Sequence, residues 1–231
     1  MADRDDGTDL VVPVKELRRA KTRLAAASAR AADTERGRRA AHADLALALA
    51  ADTLAAVLAS SVRRLVVVTS EPRWHDDVPP VVADPRLELV ADPGRGLNAA
   101  VRAGVGHLDG PAPVGVLLAD LPALRPAELD EALAAGRAAL ERAPAAFVAD
   151  HTGEGTSLLV LTPGFAPRFG RGSAAAHAAA GAEPLRGAWP GLRHDVDVPA
   201  DLDEVRALGV GSATRAWPGV PGLPALAGGC R

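Results

Sequence analysis

The sequence predicts an α/β fold, a mostly parallel sheet wrapped by helices. Three observations lead to it. Short runs of branched apolar residues, suited to strands buried on both faces, recur along the chain. Longer stretches with helical spacing alternate with them, the order that builds strand–helix–strand units. Apolar residues make up 48% of the 231 and charged residues 24%, enough core and enough polar surface for one sizeable domain.

Taken in order, residues 1–9 read as a loose start and "LVVPV" (10–14) as the first strand. A basic loop follows. A helix is expected from about Asp33 to Ser61, where alanine and leucine, both strong helix formers, dominate. "RLVVVTS" (64–70) is a second strand and "LELVAD" (87–92) a third, weaker one. "GLNAAVRAGVGHL" (96–108) has helical spacing. "VGVLLADLP" (114–122) is the strongest strand, and "PAELDEALAAGRAAL" (126–140) is a helix with proline in its first turn. "AAFVAD" (145–150) and "TSLLVL" (156–161) are strands lying close together in sequence. "SAAAHAAAG" (173–181) is a short helix capped by Ser173 and closed by Gly181. "VPADLDEVRALG" (198–209) is the last helix. One domain over 10–210 results, a Rossmann-like first half carrying a mixed-sheet extension. Residues 211–231, rich in proline and glycine, are expected to be a flexible tail.

Composition removes several function classes. A net charge of −3 argues against a chain-wide nucleic-acid or membrane footprint. Cys230 is alone, so no disulfide framework or thiolate metal site is expected. The opening "MADRDDGTDL" is acidic and polar, unlike a signal peptide. The apolar stretch 40–62 is interrupted by Asp44 and Asp52 and reads as a core helix, not a membrane span; the expected location is the cytoplasm. The six histidines lack metal-ligand spacing, and His177, set among alanines, reads as a packing residue. No G-x-x-x-x-G-K-[ST] loop, no G-x-G-x-x-G after a strand and no G-x-S-x-G elbow occurs. Trp74, Trp189 and Trp217 are too scattered for a base-stacking platform.

In parallel sheets ligands bind beyond the C-terminal ends of the strands, and the motifs fall there. The chain's two lysines, Lys15 and Lys21, both lie in "VVPVKELRRAKTRL" (11–24), against 24 arginines in all. An ammonium is a compact point charge suited to a triphosphate, with Arg18, Arg19 and Arg23 beside it; the same stretch also reads as a solvated basic loop. Asp120 in "LLADLP" follows the most apolar run, where a carboxylate can hold Mg²⁺ against phosphates or make turn hydrogen bonds. Asp195 and Asp197 in "HDVDVPADL" (194–202) point the same way if that segment is extended. They would complete a metal site with Asp120, or serve a turn before Pro199. "ADPGRGLNAA" (91–100) sets Gly94 and Gly96 ahead of a helix, where backbone amides could meet a base or phosphate and Asn98 a base edge. "GEGTS" (153–157) starts a strand at Thr156. "FGRGS" (169–173) places Gly170, Gly172 and Ser173 at a helix start beside Arg171, a pocket for a small anion or an ordinary turn and cap.

In their joint order these motifs resemble the guanylyltransferases of deazaflavin coenzyme F-420 biosynthesis, over roughly residues 10–210. These comprise the 2-phospho-L-lactate guanylyltransferases and their bacterial counterparts that use phosphoenolpyruvate. The resemblance implies a nucleotide-diphospho-sugar transferase (GT-A type) fold and transfer of GMP from GTP to the acceptor phosphate. It places Pro13, Lys15, Lys21, Gly96 and Asn98 by the nucleotide, Lys15, Lys21 and Asp120 at the chemistry, and Mg²⁺ on Asp120 with Asp195 or Asp197. Thr156, Gly170 and Ser173 would hold the acceptor, and Ser157 departs from the threonine or asparagine expected beside it. Partners would be GTP and phosphoenolpyruvate, with hand-over of a labile product to the next transferase, and neither nucleic acid nor membrane. The arginine- and alanine-rich composition, typical of a GC-rich genome, favours the phosphoenolpyruvate branch. Other enzymes of this type, for sugar phosphates or molybdopterin, would carry a G-G-x-[ST]-x-R-x-G loop after the first strand, which this chain lacks. A nucleotide-binding regulator without turnover is the reading from outside the enzymes.

Overall fold

A computed structural model describes residues 7–14, 35–71, 83–108 and 110–217, with side chains from residue 40 in the second of these stretches. Seven strands form one sheet: β1 (Asp9–Val14), β2 (Leu65–Thr69), β3 (Leu87–Ala91), β4 (Val114–Leu117), β5 (Ala145–Ala149), β6 (Thr156–Leu161) and β7 (Glu183–Pro184). Their spatial order is β3-β2-β1-β4-β6-β5-β7. The first four are mutually parallel, β6 runs antiparallel between β4 and β5, and β7 pairs parallel with β5. The expected Rossmann-like half and its mixed extension are both present.

The two-residue period of a strand decides what each face packs against. Leu10, Val12, Val67, Leu117, Leu158 and Val160 face the long helix α1 (Glu35–Leu58) and α3 (Pro126–Ala139). Val11, Val66, Val68, Val116, Phe147, Leu159 and Leu161 face α2 (Leu97–His107) and α4 (Ser173–Ala179). A third cluster joins Leu45 and Leu49 of α1 to Val196, α6 (Pro199–Leu208), Val210 and Trp217, on either side of α7 (Ser212–Ala216). A short α5 (Pro190–Arg193) lies between β7 and α6. Residues Ala40–Leu58 are long and apolar enough to cross a bilayer by composition, but 67% of that stretch is buried inside the fold.

Four expectations are corrected. The strand expected over 114–122 ends at Leu117. Beyond it Leu121 and Leu124 turn into the core, and the Leu121 N–H donates to Thr53 Oγ1 on α1 at 3.0 Å. The helix expected from 33 to 61 spans Glu35–Leu58. Ser173 is the first helical residue and not the cap: the cap is Gly172, at φ 69°, a left-handed conformation that glycine adopts without strain. The boundary 10–210 is exceeded at both ends. Asp9 opens β1, buried and held by Arg63 through two bonds of 2.8 and 2.9 Å. Residues 212–216 are helical because the buried Asp52 accepts the Ala213 and Thr214 N–H groups at 2.9 and 2.8 Å.

Candidate active site

The loops at the C-terminal ends of β1, β4 and β5, with the start of β6, surround a cleft of about 680 Å³. Pro13 and Val14, from the end of β1, line it, and so do Asp120, Thr156, Gly170, Ser173, Asp195 and Asp197. Motifs from five parts of the sequence thus meet in one place. Lys15 and Lys21, with Arg18, Arg19 and Arg23, lie outside the described residues.

Backbone pairing draws the carboxylates together. The Val196 N–H donates to the Asp120 carbonyl at 3.1 Å, which lays the 195–197 segment against the loop after β4. That loop is itself tied to α1 through Thr53. Asp195 and Asp197, two apart, then turn toward Asp120, and one oxygen from each of the three lies within 4.8 Å of the others. Asp201, at the start of α6, accepts the Asp197 and Val198 N–H groups at 2.6 and 2.8 Å and fixes the backbone there. Oxygens on one octahedral Mg²⁺ stand about 3 Å apart when adjacent and about 4.2 Å apart when opposite, and hard carboxylate oxygens are its usual protein ligands. The chemistry of the three carboxylates fits such an ion, which would draw their oxygens closer together.

The opposite wall is built from β6 and the loops on either side. Val148 pairs with Leu158, but Ala149 pairs with Thr156, so β6 carries one extra residue at Ser157. Such a bulge re-aims the residues beside it. Here it brings Thr156 to the α4 side, where Thr156 Oγ1 lies 2.9 Å from His177 Nδ1. The Arg168 N–H donates to His177 Nε2 at 2.9 Å. His177 is fully buried among Phe147, Phe165 and Phe169. Burial pushes its imidazole down to about 4, and the charge of Arg168 acts in the same direction. Ser157 Oγ is buried without a hydrogen-bond partner.

Several expected roles change in detail. Asn98 does not present its amide to a base edge. Its Nδ2 donates to the Phe169 carbonyl and its Oδ1 accepts the Phe169 N–H, both at 2.8 Å, which fastens the start of α2 to the 169–173 loop. Gly96 caps α2 at φ 86°, and its carbonyl accepts the Ala99 and Ala100 N–H groups. At the start of α4 the Ser173 and Ala174 N–H groups are used within the protein, by Gly170 and Glu154. What that end offers a ligand is therefore side chain and loop, not a row of vacant amides.

Sequence reasoning missed three contributors. Asp150 accepts from Thr152 Oγ1 at 2.7 Å and from the Gly155 N–H at 2.8 Å, clipping the β5–β6 turn at the cleft edge. A Cβ on Gly155 would stand 2.1 Å from that carboxylate, which explains the glycine. His151 stacks on His194 with centroids 4.1 Å apart and lies 3.4 Å from Asp195. His177 was read as packing, although a buried histidine needs polar partners. Only the first had a signal in the sequence, an aspartate at a strand end ahead of "TGEG".

Comparison with known proteins agrees with the geometry. The model of the MobA-like NTP transferase domain matches residues 36–188. A phosphoenolpyruvate guanylyltransferase from Geodermatophilus obscurus is 46% identical over 217 residues, covering 93% of this chain and 95% of that one. One from Streptomyces coelicolor is 46% identical over 215 residues, covering 90% and 93%. Among solved structures, a nucleotidyl transferase from Methanothermobacter thermautotroptrophicus superposes with a TM-score of 0.57 at 18% identity, covering 87% and 97% of the two chains. A 4-diphosphocytidyl-2C-methyl-D-erythritol synthase from Anaerococcus prevotii gives 0.53 at 11%, covering 87% and 98%. At such identities the structures speak for the fold, while the close relatives speak for the family. With this identity over nine-tenths of its length and an acidic triad on its cleft, the chain belongs to the phosphoenolpyruvate guanylyltransferases, nucleotidyltransferases of the MobA-like NTP transferase class.

Proposed function

We propose that the enzyme joins GMP from GTP to phosphoenolpyruvate, releasing pyrophosphate and forming enolpyruvoyl-diphospho-guanosine, in the biosynthesis of coenzyme F-420. The observation that carries this is the convergence of Asp120, Asp195 and Asp197 within 4.8 Å on a cleft also lined by Thr156, Gly170 and Ser173. It joins a cation site to an acceptor wall.

The reaction forms one P–O bond and breaks another. An oxygen of the acceptor phosphate attacks the α-phosphorus of GTP, and the bond to the β-phosphate breaks with its electron pair leaving on pyrophosphate. The acceptor phosphate is already ionised, so no base need take a proton, and positioning with charge neutralisation carries the rate. Mg²⁺ on the three aspartates would supply charge neutralisation and a template for the phosphate oxygens. Pro13 and Gly96 border the nucleotide in this reading, with Asn98 fastening the start of α2 to the 169–173 loop. Lys15 and Lys21 follow Val14, a cleft residue, in sequence and would meet the triphosphate. Thr156, Gly170 and Ser173 would take the acceptor.

Charge supports the same assignment. Six carboxylates line the cleft (Asp120, Asp150, Glu154, Asp195, Asp197 and Asp201), and Arg171 is the one guanidinium among the described lining residues. Two polyanions cannot enter such a lining without added cations, which Mg²⁺ and the two lysines provide. A core helix in place of a membrane span, and substrates drawn from central metabolism, support a cytoplasmic location. The product is a reactive enol ester, which favours hand-over to the next transferase.

Pyrophosphate release tests this with GTP, ATP or CTP against phosphoenolpyruvate or 2-phospho-L-lactate. Turnover is expected with GTP and phosphoenolpyruvate in the presence of Mg²⁺. Turnover with 2-phospho-L-lactate alone would move the acceptor assignment, and none with any pair would remove the function.

A further inference from the structure

We propose that His177 is a positioning residue that makes the Thr156 hydroxyl a committed hydrogen-bond donor toward the anionic acceptor. This rests on the acceptor assignment above and goes beyond it by assigning an orientation to a proton.

A backbone N–H can only donate, so His177 Nε2, 2.9 Å from the Arg168 nitrogen, must be the accepting, unprotonated ring nitrogen. The proton of the neutral ring then sits on Nδ1. Nδ1–H donates to Thr156 Oγ1 at 2.9 Å. A hydroxyl that accepts from one side has its own proton left to give. Among the described residues His177 supplies the one hydrogen bond made by this side chain, and Thr156 lines the cleft. The proton therefore goes to what occupies the cleft, a carboxylate or phosphate oxygen. Were the ring protonated on Nε2, the Arg168 N–H would lose its acceptor and the threonine would spend its proton on Nδ1.

The arrangement is held on every side. The Ala182 N–H donates to the His177 carbonyl at 3.0 Å, and three phenylalanine rings enclose the imidazole. Burial keeps the ring neutral at ordinary pH, so the single Nδ1 proton persists. The bulge at Ser157 makes the contact possible, because an unbroken β6 would turn Thr156 toward the opposite face.

The test uses steady-state pyrophosphate release by the full chain. In His177→Gln the amide reaches the Nε2 position and can accept from Arg168 but gives nothing to Thr156. In His177→Asn an amide N–H takes the Nδ1 position. His177→Gln and Thr156→Val should each raise the KM for phosphoenolpyruvate roughly tenfold and leave the KM for GTP unchanged, as for loss of one hydrogen bond to a charged group. The double variant should be no worse than Thr156→Val alone. His177→Asn should stay within about threefold of wild type, although its melting temperature falls as in the glutamine variant. Additive losses in the double variant, or both KM values rising together, would overturn the inference while leaving the function standing. A wild type that releases no pyrophosphate with phosphoenolpyruvate removes both. If the variants do not fold, nitrogen-15 NMR of the wild-type imidazole decides. Protonated Nδ1 and bare Nε2 are expected, and the reverse tautomer refutes the proposal.

Discussion

Acid should weaken this fold through one buried ring. In the unfolded chain His177 titrates near 6.5, and in the folded chain near 4. Below 6.5 the unfolded state gains a proton that the folded state refuses, so stability falls as pH falls and is regained on return to neutrality. Over the window from 6.5 to about 4, at about 1.36 kcal/mol per pH unit, the loss is roughly 3 kcal/mol. For a chain of this size that is about 6–12 °C in Tm. The folded ring cannot relieve the penalty by turning, since Phe147, Phe165 and Phe169 hold it within 5.2–6.3 Å of their centroids. The nearby charge is the cation of Arg168, which opposes protonation further. Urea unfolding of wild type and His177→Asn at pH 7, 6, 5 and 4 isolates the effect, because the remaining titrating groups are common to both. The wild type should be the more stable at pH 7, and the gap should close by about 3 kcal/mol toward pH 4. Parallel stability curves would refute the assignment of a buried neutral imidazole.

Asp120→Asn should lower Mg²⁺-dependent pyrophosphate release by about 10²-fold or more while circular dichroism and Tm stay near wild type; unchanged activity with an unchanged metal optimum would remove Asp120 from the site. Lys21→Ala should lower turnover by a similar factor of about 10² if the ammonium meets charge in the transition state, and unaltered pyrophosphate release would take it out of the mechanism. Asp52→Ala leaves the Ala213 and Thr214 N–H groups without their acceptor, at a cost of about 2 kcal/mol or roughly 4–8 °C in Tm, with both KM values unchanged; an unchanged Tm would show that α7 does not depend on that cap.

Strand runs such as "LVVPV" and "RLVVVTS" were legible because a buried parallel strand must be apolar on both faces, and these are. The convergence of the three aspartates was legible for a related reason: an aspartate directly after the most apolar run is poorly suited to the core, and a D-x-D segment aims two carboxylates one way. Geometry made by distant backbone pairing was not legible. The 114–122 strand was overrun because Thr53, 68 residues away, captures the Leu121 N–H and turns the chain. The helix at 212–216 was missed because the acceptor for its N–H groups is Asp52, more than 160 residues earlier. Asn98 looked available to a base until Phe169 was brought beside it. The Ser157 bulge likewise shows only in the register of β5 against β6, and without it His177 and Thr156 would not meet.

The balance of charge around the cleft bears on the role proposed for the lysines. Asp120, Asp195 and Asp197 face the same space into which a nucleotide triphosphate and a phosphorylated acid must come. At about 4 Å and an effective dielectric of 20, each like-charge pair costs roughly 4 kcal/mol. A divalent cation cancels most of the triad's charge but leaves two polyanions to repel each other. Arginine is the default cation of this chain, 24 against two lysines, so composition alone would write arginine after β1 as well. A guanidinium is a wide planar fork suited to one fixed bidentate geometry, whereas an ammonium can follow an oxygen whose charge and position change as pyrophosphate leaves. In the reading proposed above, lysine at 15 and 21, directly after the strand whose last residues border the cleft, suits a moving phosphate charge better than arginine would, and a solvated basic loop would have no such preference.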